Sequence, residues 1–279
     1  MQKKPLEITC YVAGAGAFGV FFRWLQDQLA FDEAGLNEKS VFNLLVPVLV
    51  IAAALLFQRF ISDMKERRLC APEDFCEALY NPGKLFAAAR WAAGVVMIAG
   101  AGLLLISSEA DPNAGMIRVL CLLAALSGLA FPLVLGAANY EFLAHEKLTR
   151  LGMMLPVLMY ALWLVLSYIQ NAYNSVPWSF AVEIAAIIAA MMGFFRVAGF
   201  AFRVPDGHKA LFAVMMGAVM CILTLADERY MGMQLILLAS AGMLILYEWI
   251  LVRNLKKKRA ETRKNGDAET DDGGFEIVK

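Results

Sequence analysis

The chain has 279 residues, of which 60% are hydrophobic and only 18% are charged, and its mean hydropathy is +0.61. Soluble domains are about 45–50% apolar and about 25% charged, so this composition excludes an ordinary water-soluble protein. The 25 basic residues balance the 25 acidic residues, so net charge gives no indication of a nucleic-acid partner, and none is expected. The apolar surplus has to face lipid.

A helix needs about 20 apolar residues to cross a bilayer core about 30 Å thick. Eight segments of the chain meet this requirement, which predicts an all-α, polytopic bundle of eight transmembrane helices over residues 1–252. The predicted spans are 8–25, 41–61, 85–106, 115–138, 151–169, 178–202, 210–226 and 231–252. The first and seventh spans are the shortest, with Arg23 inside the one and Asp227 just beyond the other.

The charges between the spans predict the orientation, because basic residues favour the cytoplasmic side of a membrane. Outside the spans, every Lys and Arg except Lys39 and Arg229 lies at the N-terminus, in the loops after spans two, four and six, or in the tail. Both termini are therefore predicted to be cytoplasmic in a multi-pass protein of the plasma membrane. The alternation also supports eight spans, since removing one would invert every later loop.

The tail, residues 253–279, changes sign along its length. Basic residues between Arg253 and Lys264 are followed by acidic residues between Asp267 and Glu276. Each basic residue near an anionic leaflet contributes about 1 kcal/mol of attraction, so we expect anionic lipid to be a partner of the basic part. The acidic part is expected to be disordered, and a protein-docking tail is the alternative.

The longest cytoplasmic connection, 62–84, has the signals of a short helix. Pro72 lies at its expected first turn, with Asp74 near the positive end of the helix dipole. A small apolar face is expected on this helix, and we predict that it lies on the membrane surface rather than against a partner. That face comprises Phe75, Ala78 and Leu79.

Charged side chains inside the spans are the main functional candidates, because placing a charge at the bilayer midplane costs at least about 2.5–3.5 kcal/mol. By depth, Glu183 lies near the outer side together with Arg23 and Arg118, whereas Arg196 lies nearer the cytoplasmic end of span six. Three charges close to span ends are expected to reach the interface by snorkelling. These are Arg90, Arg118 and Glu248.

Two interpretations of Glu183 stay open. In the structural one, Glu183 forms an ion pair with Arg23 and Arg118 that holds spans one, four and six together. In the functional one, it is a proton- or substrate-binding carboxylate of a permease, and Arg196 contacts an anionic group in a cytoplasm-facing cavity, or an anionic lipid. The candidate substrate- or ion-binding residues are Glu183, Arg23, Arg196 and Arg118.

Catalytic signatures are not found in the sequence, which has no H-E-x-x-H, G-x-S-x-G or Walker motif. A weak polar cluster is expected at the cytoplasmic end of span four, formed by Asn139, Glu141 and His145. A local hydrogen bond is favoured there over a metal site, because zinc needs three or four protein ligands. Cys70 and Cys76 are expected to be free thiols rather than a redox or metal site. We predict no catalytic residue, metal or cofactor.

Two short patches resemble a known group of proteins. The patches are Arg23-Trp24-Leu25-Gln26 with Phe31-Asp32 and Gly35-Leu36, and Arg196 with Ala198-Gly199-Phe200-Ala201-Phe202. They look like uncharacterised polytopic integral membrane proteins of Gram-positive anaerobic bacteria. The resemblance implies a bacterial cytoplasmic membrane and no particular chemistry.

Three classes of function follow. The favoured one is a non-enzymatic membrane component that packs with partner proteins, lipids or a second copy, because pairs of small residues four apart predict close helix packing. These pairs are Ala15 and Gly19, Ala124 and Gly128, and Ala189 and Gly193. A permease for a small solute or ion is the alternative, and a membrane-embedded enzyme is the third class.

Overall fold

The structure is a computed structural model, and it describes residues 3–32, 35–36, 41–140, 147–171, 177–227 and 229–257. Within these ranges the chain forms long helices with short connections. The helices are α1 (Lys3–Ala30), α2 (Leu45–Glu66), α3 (Phe75–Ala78), α4 (Lys84–Ser107), α5 (Ala114–Ala137), α6 (Lys147–Asn171), α7 (Pro177–Ala201), α8 (Gly207–Leu223) and α9 (Met231–Arg253). Short 3-10 segments, Val41–Leu44 and Thr224–Ala226, precede α2 and follow α8.

The long helices confirm the predicted fold class. In the part of the chain that the structure describes, eight helices, all except α3, are long and apolar enough to cross a membrane. Their bounds lie within a few residues of the predicted spans, because a bilayer core about 30 Å thick sets the length of each apolar run. The chain is therefore a multi-pass integral membrane protein.

Two pairs of very short antiparallel strands join the connections. Strand β1 (Phe31–Asp32) pairs with β2 (Gly35–Leu36), and β3 (Leu69–Cys70) pairs with β4 (Lys256–Lys257). The second pair holds the segment after α2 against the segment after α9. We call the end of the bundle that carries this pair the terminal end, and the opposite end the far end. Of the predicted tail, residues 258–279 lie outside the described residues.

Helices α4 to α9 form a closed ring. Each packs along the next one in the chain, and α9 returns to pack along α4. Helix α1 lies outside the ring against α8 and α9, and α2 packs mainly on α1. The bundle is thus a ring of six helices with a peripheral pair, α1 and α2.

Aromatic side chains fill the interior of this ring. Tyr160 of α6 stacks on Trp163 at 5.7 Å and on Phe194 of α7 at 5.9 Å, measured between ring centroids. Tyr247 of α9 lies 6.4 Å from Phe194 and 5.3 Å from Phe131 of α5. Because α9 is not a neighbour of α5 or α7 in the ring, these contacts cross its interior. All five side chains are at most 3% exposed, so the ring encloses a packed core at this level.

Small residues set the closest helix contacts, as predicted for the seam that contains Gly128. A Cβ on Gly128 of α5 would lie 2.8 Å from the carbonyl oxygen of Gly94 of α4. A Cβ on Gly100 of α4 would lie 3.0 Å from the carbonyl oxygen of Gly232 of α9. Only hydrogen at these positions lets the backbones approach so closely.

Helix α3 is a single turn, and its surroundings differ from the prediction. Asp74 caps it by accepting hydrogen bonds from the backbone N–H groups of Cys76 at 2.9 Å and Glu77 at 3.3 Å. The predicted apolar face is buried in the core, with Phe75 3% exposed and both Ala78 and Leu79 fully buried. The expectation that this face lies on the membrane surface is therefore wrong, because the fold covers it with neighbouring parts of the chain.

Candidate functional site

Four charged side chains form a cluster at the far end of the bundle. Arg23 Nε of α1 lies 2.6 Å from Asp227 Oδ1, and Arg229 Nη2 lies 2.7 Å from Asp227 Oδ2. Arg229 Nη2 also lies 3.4 Å from Glu183 Oε2 of α7. These side chains are between 5% and 15% exposed, and Arg23 Nη1 additionally donates to Gln26 Oε1 at 2.9 Å.

The far-end cluster, Arg23, Asp227, Arg229 and Glu183, joins three parts of the fold. Asp227 and Arg229 lie between α8 and α9, so the ion pairs connect this segment to α1 and to α7. Two cations meet two anions, and the formal charge of the cluster is zero. Paired, largely buried charges of this kind hold helices together, because removing one partner leaves an uncompensated buried charge.

The sequence prediction placed Glu183 and Arg23 at the same depth, and the structure brings both into the far-end cluster. Their direct partners are Arg229 and Asp227, respectively. Arg118 was expected to join them, but its side chain is exposed, and it forms no ion pair within the described part of the chain. The sequence signal that was missed is Asp227 and Arg229 themselves, two opposite charges directly after a short span.

Arg196 lies apart from this cluster, towards the terminal end of α7, and it is half-buried. Its charge acts on Asp206, the residue that precedes α8. The Lys209 side chain, at 2.8 Å from the Asp206 carboxylate, is the main cause that lowers the pKa of Asp206 below its ordinary value, and Arg196 adds to this effect. Arg196, Asp206 and Lys209 thus form a group of interacting charges at the terminal end.

A second polar cluster at the terminal end is centred on Asn81. The buried Asn81 side chain donates to the carbonyl oxygens of Leu79 at 2.7 Å and Leu135 at 2.8 Å. Its Oδ1 accepts from Arg90 Nη1 at 3.1 Å, and its backbone N–H donates to Asn139 Oδ1 at 2.9 Å. Arg90, which was expected to snorkel, reaches back past the start of α4 to Asn81. Of the predicted polar cluster, Asn139 is found here, and Glu141 and His145 lie outside the described residues.

Glu248 of α9 does not snorkel, so that prediction is wrong. Its side chain is fully buried against α1, where Glu248 Oε2 lies 2.7 Å from Thr9 Oγ1. Glu248 Oε1 has no hydrogen-bond partner among the described residues. The residue lies only five positions before the end of α9, but it points towards a neighbouring helix rather than towards the interface.

A lateral groove near the terminal end is lined by residues of both the peripheral pair and the ring. It encloses about 790 Å³ between α1, α2, α4 and α9. Its walls are mainly apolar, and the principal wall residues are Ile8, Tyr11, Leu56, Phe60, Leu246 and Trp249. Its polar rim carries Arg59, Arg67 and Arg253 together with Glu7 and Asp63.

The rim of the lateral groove has an excess of positive charge. Arg59 and Asp63 form an exposed pair at 3.9 Å, which leaves Arg67 and Arg253 against Glu7. The Arg253 guanidinium lies over the Phe86 ring, 5.3 Å from its centroid, which fixes this cation at the edge of the groove.

A second cavity, of about 730 Å³, lies at the terminal end and is lined by polar residues that include Asn139 and Asn254. Neither Glu183 nor Arg196 lines this cavity or the lateral groove. In the described part of the chain, no group of three or more His, Cys, Asp or Glu side chains is placed to hold a metal ion. Cys70 and Cys76 form no disulfide bond in the described part of the chain.

Comparison of the chain with protein-family models, with curated protein sequences and with solved structures finds no match in any of the three.

Proposed function

We propose that the protein is a non-catalytic component of a bacterial cytoplasmic membrane that binds an anionic phospholipid of the cytoplasmic leaflet in the lateral groove. The observation that carries this proposal is the groove itself, which combines apolar walls with an arginine-bearing rim. In this proposal the terminal end faces the cytoplasm, in agreement with the distribution of basic residues between the spans. The bacterial membrane follows from the resemblance carried by the two sequence patches.

The shape and position of the groove support a lipid as its occupant. The groove lies between helices that are long and apolar enough to cross a membrane, so the acyl chains of a lipid bound there would contact its apolar walls. Leu56 and Leu246 supply aliphatic surface, and Trp249 supplies an amphipathic ring. The phosphate would then lie at the rim, at the level of Arg67 and Arg253.

The charges of the rim support an anionic headgroup. Near a membrane surface each Lys or Arg contributes about 1 kcal/mol of attraction to anionic lipid. Arg67 and Arg253 together account for about 2 kcal/mol on that scale, or about 30-fold in affinity. Anionic lipid therefore belongs at this rim as well as at the basic tail.

The rest of the bundle supports a role other than transport of a solute through the ring. The charges at the far end pair with one another, and the interior of the ring is filled by aromatic side chains from α5, α6, α7 and α9. A solute crossing the membrane through the ring would have to displace Phe131, Phe194 and Tyr247 from the core.

Native mass spectrometry of the protein in nanodiscs tests the proposal. We expect the wild type to retain phosphatidylglycerol in preference to phosphatidylcholine, and the Arg67→Gln/Arg253→Gln variant to lose this preference. Arg118→Gln, which removes an exposed cation at the far end, should keep it. Leu246→Trp fills the groove without changing its charge and should weaken retention of both lipids.

The same spectra identify other occupants by mass. Equal retention of the two lipids by the wild type, or an undiminished preference in the double arginine variant, would overturn the proposal. A second copy or another protein in place of lipid would also contradict it, and would favour a subunit whose groove is a protein interface.

A further inference from the structure

A buried carboxyl group joins the peripheral helix α1 to the ring. Glu248 of α9 is fully buried, and its only hydrogen-bond partner within the described residues is the hydroxyl of Thr9, at 2.7 Å from Oε2. Thr9 Oγ1 also lies 3.0 Å from the carbonyl oxygen of Pro5, one turn earlier in α1. Three oxygen atoms thus form a short chain from Glu248 through Thr9 to Pro5.

The burial of Glu248 decides which form of its carboxyl group fits the structure. Within α1 the backbone N–H of Thr9 serves the Pro5 carbonyl, one turn earlier, so the Thr9 hydroxyl can either donate to the carboxyl group or accept from it. An ionised Glu248 would have this hydroxyl as its single donor in the described structure. Its Oε1 would then be a buried anionic oxygen without a partner there.

A proton on Glu248 removes the buried charge. Glu248 Oε2–H then donates to Thr9 Oγ1, and Thr9 Oγ1–H donates to the carbonyl oxygen of Pro5. Both short oxygen contacts become hydrogen bonds with one proton each. The remaining Oε1 is a neutral carbonyl oxygen, which is far less costly to bury without a partner than an anion.

Among the side chains that the structure describes, the cations of the helices packed on α9 contact other groups or are exposed. In the described part of the chain, Glu248 forms no ion pair. The charged and titratable groups of the helices packed on α9 have other contacts: Arg90 with Asn81, His208 with the Leu69 carbonyl, Lys209 with Asp206, and Arg229 with Asp227 and Glu183. Arg196 of α7 acts on Asp206, Arg253 lies over Phe86, and Glu7 and Lys84 are exposed.

We propose that Glu248 is a proton-binding site of the membrane domain, occupied at neutral pH, with its proton held between Glu248 Oε2 and Thr9 Oγ1. The ligand of this site is a proton rather than a metal cation. The site lies about 7.5 Å along α9 from Arg253, by the helical rise of 1.5 Å per residue. The inference is independent of the lipid proposal, because neither Glu248 nor Thr9 lines the groove.

Infrared difference spectroscopy at neutral pH tests the site. We expect the wild type to show the C=O stretching band of a protonated carboxyl group, and Glu248→Gln to lack it. Glu183→Gln is the matched control, because Glu183 is also largely buried but is paired with Arg229. This variant should keep the band.

Variants of Thr9 keep the test decisive if Glu248→Gln does not fold. Thr9→Val removes the hydroxyl but keeps the shape of the side chain, so the carboxyl band should shift as its hydrogen bond is lost. Thr9→Ser keeps the hydroxyl and should leave the band in place. Wild-type spectra without a protonated-carboxyl band, or a band that responds to neither Glu248→Gln nor Thr9→Val, would overturn the proposal in favour of an ionised carboxylate.

Discussion

The far-end cluster makes a sharp prediction about Asp227. This carboxylate contacts two guanidinium groups, Arg23 at 2.6 Å and Arg229 at 2.7 Å, and its side chain is only 12% exposed. Asp227→Asn keeps the size of the side chain but removes its charge, so that two cations face only Glu183. The amide nitrogen of the new side chain would also lie beside a guanidinium nitrogen, and both are donors.

The expected cost follows from the burial of the cluster. Breaking a buried ion pair by neutralising one partner costs about 3–5 kcal/mol. At about 2–4 °C per kcal/mol for a chain of this size, the thermal midpoint should fall by about 6–20 °C. Tryptophan fluorescence during heating of the purified protein in detergent measures this midpoint.

Asp63→Asn is the control for the Asp227 variant. Asp63 pairs with Arg59 at 3.9 Å, but these side chains are 45% and 82% exposed. Exposed helix pairs are worth about 0.3–0.5 kcal/mol, so the midpoint should move by no more than about 2 °C. Adding Arg23→Gln to Asp227→Asn restores the charge balance and should recover part of the loss. Equal midpoints for Asp227→Asn and Asp63→Asn would refute the claim that the far-end cluster stabilises the fold.

Three further predictions use the same heating assay. Gly128→Ala should destabilise the protein by about 1–3 kcal/mol, because the new Cβ would contact the backbone of a neighbouring helix. Gly102 faces open space, so Gly102→Ala should be neutral or stabilising by up to about 1 kcal/mol. Equal effects of the two substitutions would contradict the close contact at Gly128. Asn81→Ala should cost about 1–3 kcal/mol, because buried carbonyl groups lose their donor, and an unchanged midpoint would contradict this. Asp206→Asn should lower the midpoint near neutral pH and have no effect in strong acid. Lys209 lowers the pKa of Asp206 in the folded protein, so the ionised carboxylate stabilises the fold above its ordinary pKa. This stabilisation is lost as the pH falls through the folded-state pKa. A pH-independent difference would refute the charge effect.

The sequence was sufficient to predict the helices, because the bilayer imposes both their length and their composition. It could not predict the six-helix ring. In a membrane, side chains that face lipid and side chains that face another helix are both apolar. Leu237 is fully buried whereas the adjacent Leu238 is 48% exposed, although the two residues are chemically identical. Which helices pack against one another is therefore known only from the structure.

The candidate site was predicted in part, because depth in the membrane can be read from the sequence but direction cannot. Depth correctly grouped Glu183 with Arg23. It missed Asp227 and Arg229, since these residues lie beyond the end of a span and so were not counted among the intramembrane charges. Glu248 shows the converse error, because closeness to a span end predicts snorkelling only for a side chain that points outwards.

The contacts of α1 with α8 and α9 also set a limit on when the packing of α1 can be completed during synthesis. Arg23 and Asp227 are 204 residues apart, and Thr9 and Glu248 are 239 residues apart. At a synthesis rate of about 5–20 residues per second, Arg23 is added to the chain about 10–40 s before Asp227. Helix α1 therefore completes its contacts with α8 and α9 only after both of these helices have been synthesised.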